Sequence, residues 1–123
     1  MPKSPKNQIR ISKNFILSEF QCPCCRRVML DICLVDLLEI LRRRIGNRPI
    51  IINSGYRCPD YNTKAGGVPA SYHLYGMAAD IRVPGMAPAE VIKYALDVGF
   101  LGLGLYPTFC HLDIRHTFYR WEG

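Results

Sequence analysis

Two stretches carry side chains that could do chemistry together: Ser71-Tyr-His-Leu-Tyr-Gly-Met-Ala-Ala-Asp80 and Phe109-Cys-His-Leu-Asp-Ile-Arg115. His73 precedes a glycine turn, and Asp80 enters an apolar run, Ala78 to Val83, that has the character of a strand. Side chains alternate along a strand, so Cys110, Leu112 and Ile114 form an apolar face while His111, Asp113 and Arg115 share the other. Strand geometry places His111 and Asp113 about 7 Å apart on that face. The same alternation turns Ala79, Ile81 and Val83 inward and sends Asp80 to the polar side. His73, Asp80 and His111 are then two imidazoles and a carboxylate, a set that suits zinc and leaves the fourth tetrahedral position for water. The reaction natural to such a site is hydrolysis of an amide or ester. Each residue alone has an ordinary explanation as a loop histidine, a core histidine or a strand-end carboxylate. It is their joint placement that points to a metal.

The elements that must position these groups follow from periodicity. Leu34, Leu37, Leu38, Leu41 and Ile45 recur at helical spacing over 32–45, with Asp31 as N-cap and Gly46 as stop. Ile50-Ile51-Ile52 predicts a buried strand within Pro49 to Asn53, delivering Ser54-Gly55-Tyr56-Arg57 at its end. Cys58 to Gly76 has the composition of a long functional loop. Pro88 opens a second helix with Val91, Ile92, Ala95 and Leu96 on its inner face, and Gly99 ends it. Leu101 to Tyr106 and Phe109 to Arg115 predict a hairpin, with Phe118 to Trp121 as a further strand. The expected class is α+β, a small antiparallel sheet with helices packed on one face. A flexible N-terminal arm over 1–14 and one domain over 15–123 are expected.

The formal charge of +6 suggests an anionic partner, such as nucleic acid, a lipid surface or the polymers of a cell wall. Arg42, Arg43 and Arg44 close the first helix, where cations meet its C-terminal dipole. Of six cysteines, Cys33 and Cys110 fall in apolar periodic segments and are expected to be buried. Cys22 and Cys25 have the spacing of a metal knuckle, but no second Cys-x-x-Cys or His pair follows to complete a structural zinc site. A disulfide from this group to Cys58 is the alternative and would need an oxidising compartment. No apolar run resembles a secretory signal or reaches the length of a membrane span. Arg57 is a candidate clamp for a substrate carboxylate, because guanidinium binds carboxylates bidentately.

Ser54-Gly55-Tyr56-Arg57, Asn62, Gly66-Gly67, Ser71-x-His73-x-x-Gly76-x-Ala78-x-Asp80, Gly102-x-Gly104-x-Tyr106 and Phe109-x-His111-x-Asp113 together resemble the zinc D-Ala-D-Ala carboxypeptidase family. That family shares its fold with the hedgehog signalling domain. The resemblance spans Phe15 to Trp121 and implies a Zn2+ ion held by His73, Asp80 and His111. It further implies Arg57 in the substrate cleft, with Ser71 and Tyr106 as companion substrate-binding residues, and a peptidoglycan stem peptide as substrate. The chain departs from the pattern where such enzymes carry a general base, since Leu105 to Phe109 offers neither acid nor histidine. Asp113 is therefore the candidate catalytic carboxylate, either accepting a proton from the metal-bound water or orienting a ligand histidine. The resulting expectation is a monomeric zinc peptidase of the bacterial cell wall, of carboxypeptidase or endopeptidase type. The missing leader suggests a phage lysis or virion protein, or a chain whose signal was trimmed. Two rivals are a zinc-containing binding module without activity and a nucleic-acid-binding zinc domain built on Cys22 to Cys25.

Overall fold

Two helices cover one face of a five-stranded sheet in the computed structural model, which describes residues 7–123. The first, α1 (Ile32–Arg44), starts where the Asp31 carboxylate accepts the Cys33 N–H at 2.9 Å and stops before Gly46, whose φ of 80° ends the helical path. Strand β1 (Ile51–Ser54) follows, then a short helix α2 (Pro59–Lys64) and a 3-10 turn at Tyr72–Tyr75. After β2 (Ala78–Arg82) come α3 (Pro88–Val98), β3 (Gly102–Leu105), β4 (Cys110–Asp113) and β5 (Tyr119–Glu122). Leu34, Val35, Leu38 and Leu41 of α1 and Val91, Ile92 and Ala95 of α3 are buried against Ala79, Ile81, Leu103, Cys110 and Leu112 of the sheet. Each fully buried aliphatic side chain contributes about 1.5–3 kcal/mol. The helices therefore occupy one face and leave the other for the polar side chains of β2 and β4.

The sheet order is β1-β2-β4-β3-β5, antiparallel except at its end, where β5 runs parallel to β3. An all-antiparallel sheet is thus corrected to a mixed one. After β4 the chain passes the end of β3 and pairs on its far side, with Gly102 opposite Tyr119. It reverses direction relative to β4 and so comes out parallel to β3. The long loop expected over Cys58 to Gly76 contains α2, because Cys58 Sγ accepts the Tyr61 N–H at the helix start and Pro59 occupies the first turn. Cys33, expected inside, is exposed on the first turn of α1, whereas Cys110 is buried.

Residues 1–6 of the expected arm lie outside the described residues. Within 7–14, Asn7 Nδ2 donates to Gln21 Oε1, and Ser12 and Asn14 donate to the Glu39 carboxylate on α1. This part of the arm is hydrogen-bonded to the domain. Phe15, ahead of a 3-10 turn at Leu17–Phe20, and Phe20, the last residue of that turn, dock in the core.

Candidate metal centre

The register of the two central strands builds the centre. Asp80 on β2 stands directly opposite His111 on β4, and His111 in turn faces Gly104 on β3. Asp113 lies between Ala78 and Gly102 in the same way. A Cβ on Gly102 would collide with the Asp113 carboxylate, and one on Gly104 would meet the Trp121 indole at 2.5 Å. The absence of side chains at these two positions makes room for the functional ones.

His73 arrives from the other side, on the 3-10 turn. Ser71 caps that turn by accepting the His73 N–H at 3.2 Å, and Gly76 ends it at φ 69°, against the Met29 carbonyl. The two imidazoles meet edge to face with centroids 5.0 Å apart. His73 Nε2 is 3.2 Å and His111 Nδ1 is 3.1 Å from the same oxygen, Asp80 Oδ1.

The outer partners decide which ring nitrogens carry protons. His73 Nδ1 lies 2.7 Å from the Gly55 carbonyl, an acceptor only, so it donates and Nε2 presents a lone pair. His111 Nε2 lies 2.7 Å from Asp113 Oδ2 and likewise donates, leaving the Nδ1 lone pair facing inward. Two lone pairs and a carboxylate oxygen therefore converge with no hydrogen between them, an arrangement that a cation satisfies. Ligands about 2.0–2.2 Å from a tetrahedral ion stand roughly 3.3 Å apart, close to the observed separations. The donor set fits a divalent metal ion.

Electrostatics agree with that fit. Burial pushes the Asp80 carboxyl up, but His111 and His73 outweigh it and hold the group well below the usual carboxylate range. Burial pushes the His111 imidazole down, yet Asp113 and Asp80 on its two sides bring it above its ordinary value. The pocket between them favours positive charge.

Arg57, expected to face a substrate carboxylate, contacts Asp80, and Asp113, expected as base or as support for a ligand histidine, contacts His111. Arg57 Nη2 donates to Asp80 Oδ2 at 2.9 Å, and its Nε donates to Ser54 Oγ at 3.1 Å. The guanidinium thus braces the metal-facing carboxylate. Asp113 is fully buried; Oδ2 accepts from His111 Nε2 and Arg115 Nη2, and Oδ1 accepts from Arg115 Nε and its backbone N–H. Burial raises the Asp113 carboxyl, but Arg115 and His111 outweigh this and bring it to about 2, a value that makes it a weak base near neutral pH.

An open cleft of about 400 Å³ lies over the centre, walled by His73, His111, Ser71, Tyr72, Tyr106 and Trp121 with Arg115 at its side. Tyr106 accepts the Trp121 indole N–H at 2.9 Å, and the Arg115 guanidinium lies 4.6 Å from the centre of the Tyr72 ring. Arg115 and Trp121 are among the cleft residues that sequence reasoning did not assign. Strand alternation already put Arg115 beside His111, whereas the approach of Trp121 depends on the parallel pairing of β5.

A family model described as Peptidase M15 matches residues 13–113. The chain belongs to the peptidase M15 family. Among the relatives of this M15 chain, the peptidoglycan L,D-endopeptidase MepK of Escherichia coli K12 is 36% identical over 92 residues, 68% of this chain and 50% of that protein. The zinc D-Ala-D-Ala carboxypeptidase of Streptomyces albus G is 36% identical over 83 residues, 65% of this chain and 31% of that protein. The M15 chain spans half or less of the length of these curated relatives.

Proposed function

We propose that this chain is a zinc peptidase that hydrolyses a peptide bond in the stem peptide of peptidoglycan, with residues 15–123 as its single catalytic domain. The observation that carries the reading is the convergence of His73 Nε2, His111 Nδ1 and Asp80 Oδ1 at the base of an open cleft. The names of both relatives point to peptidoglycan or D-Ala-D-Ala as substrate and, for one, to zinc as metal. His73, Asp80 and His111 would hold the zinc, which when bound would supply a water of lowered pKa and Lewis acidity toward the scissile carbonyl. The chain's own groups do the rest. The Gly55 carbonyl and Asp113 hold the two imidazoles in their metal-binding tautomers, and Arg57 braces Asp80. Arg115, fixed by Asp113, keeps a positive charge at the cleft wall for a substrate carboxylate or carbonyl, and the Ser71 and Tyr106 hydroxyls face the peptide.

Mass spectrometry of purified peptidoglycan incubated with the protein tests this. New termini within the stem peptide, lost in His73→Ala and after chelation and restored by added zinc, are the expected result. The position of the new termini separates carboxypeptidase from endopeptidase action. One observation favours a second reading: among the described residues no carboxylate lines the cleft to accept a proton from water. A zinc-loaded protein that binds peptidoglycan and releases no fragment is a binding module and overturns the peptidase.

A further inference from the structure

A second group of metal-binding atoms lies apart from the cleft, where residues 20–27 meet the corner between β1 and α2. Cys22 Sγ is 3.5 Å from Cys24 Sγ and 3.7 Å from Cys58 Sγ, and Cys24 Sγ is 3.3 Å from Cys58 Sγ. Cys25 completes the group, with all four sulfurs within 4.8 Å of one another. We propose that Cys22, Cys24, Cys25 and Cys58 bind one zinc ion in a closed structural site, separate from the histidine centre.

Four thiolates about 2.3 Å from a tetrahedral ion stand roughly 3.8 Å apart, near the spacing found here. All six cysteines are free. A single disulfide would use two of the four sulfurs, whereas one ion uses all four. The backbone is shaped for such a knuckle: Arg26 N–H donates to the Cys22 carbonyl and Cys22 N–H to the Arg27 carbonyl, both at 2.8 Å, with Arg26 at φ 60°. The Tyr61 N–H points at Cys58 Sγ at 3.5 Å and holds that sulfur in place at the start of α2.

Position gives the site its purpose. Tyr56 N–H donates to the Phe20 carbonyl at 2.8 Å, and Gly55 packs on the Phe20 backbone. The ion would fasten this contact from both segments. The fastened corner carries the Gly55 carbonyl that holds His73 and the Arg57 that holds Asp80. The cysteine site is a staple for the supports of the histidine centre.

The test counts metal and reads its ligands. Protein purified under reductant without chelator is analysed for zinc per chain, and again after reconstitution with Co2+. Cys24 is exposed and Cys25 half-buried, so the double variant Cys24→Ser/Cys25→Ser leaves the core untouched. Two zinc ions per wild-type chain and one in either the cysteine variant or His73→Ala are expected. Sulfur-to-cobalt charge-transfer absorption should appear in wild type and His73→Ala and vanish in the cysteine variant. Zinc content unchanged by the cysteine substitutions overturns the proposal. So does non-reducing peptide mapping that recovers these cysteines as disulfides in protein holding a single zinc. Neither readout depends on peptidoglycan cleavage, so failure here is distinguishable from failure of the peptidase reading.

Discussion

Asp113 shows how a single residue's role changes with its partners. Strand alternation places it beside His111, where its carboxylate could serve as base or as support. Full burial and the bonds to His111 and Arg115 favour support. Support of this kind typically accounts for 10–100-fold in metal affinity. Asp113→Asn should therefore weaken zinc binding by about that factor in a competition titration with a chromophoric chelator, and an unchanged affinity would remove Asp113 from the centre. The same carboxylate links stability to pH. Its ordinary value of 3.8 is lowered to about 2 in the folded chain, so its contribution is present above about pH 4 and lost as pH falls toward 2. The size is about 2 kcal/mol, at about 1.4 kcal/mol per unit. Unfolding of the metal-free protein followed from pH 5 to pH 2 should show this loss in wild type and a smaller one in Asp113→Asn.

The elements do two separate jobs. Helices α1 and α3 supply the apolar mass, and Leu38→Ala, which removes a fully buried side chain, should cost about 2–5 kcal/mol in denaturant unfolding. Strands β2, β3 and β4 supply the alternation that brings Asp80, His111 and Asp113 to one surface. Here the glycines of β3 matter as much as the ligands. Gly104→Ala pushes a methyl into the indole of Trp121, the one tryptophan of the chain. An overpacking cost of about 1–3 kcal/mol is expected, with a change in tryptophan emission that reports the displaced ring. A variant with wild-type emission and stability would show that the wall yields freely. The short helix α2 fills part of what composition alone presents as loop. Its cap is a cysteine sulfur, a signal that sequence rules for helix starts do not contain.

At the scale of the whole molecule, the charge of +6 bears on how the chain would meet an anionic polymer such as the cell wall of the proposed function. Raising salt from about 0.1 M to about 1 M shortens the screening length from about 10 Å to about 3 Å. Binding to purified cell walls should weaken several-fold over that range in a sedimentation assay, and salt-independent binding would assign recognition to the cleft alone. Much of the molecule is legible in its sequence. The two long helices, the hairpin and the shared face of Asp80, His111 and Asp113 follow from periods of 3.6 and 2, which are local properties of the chain. His73 is legible as a candidate ligand from its place ahead of the glycine turn that leads to Asp80. The rest has no local period. Arg57 reaches Asp80 across 23 residues, Cys58 joins Cys22 across 36, and β5 passes β3 to bring Trp121 to the cleft. Alternation along each strand determines which side chains can share a surface. Only the folded chain decides which groups on that surface touch, because that depends on how distant segments pack.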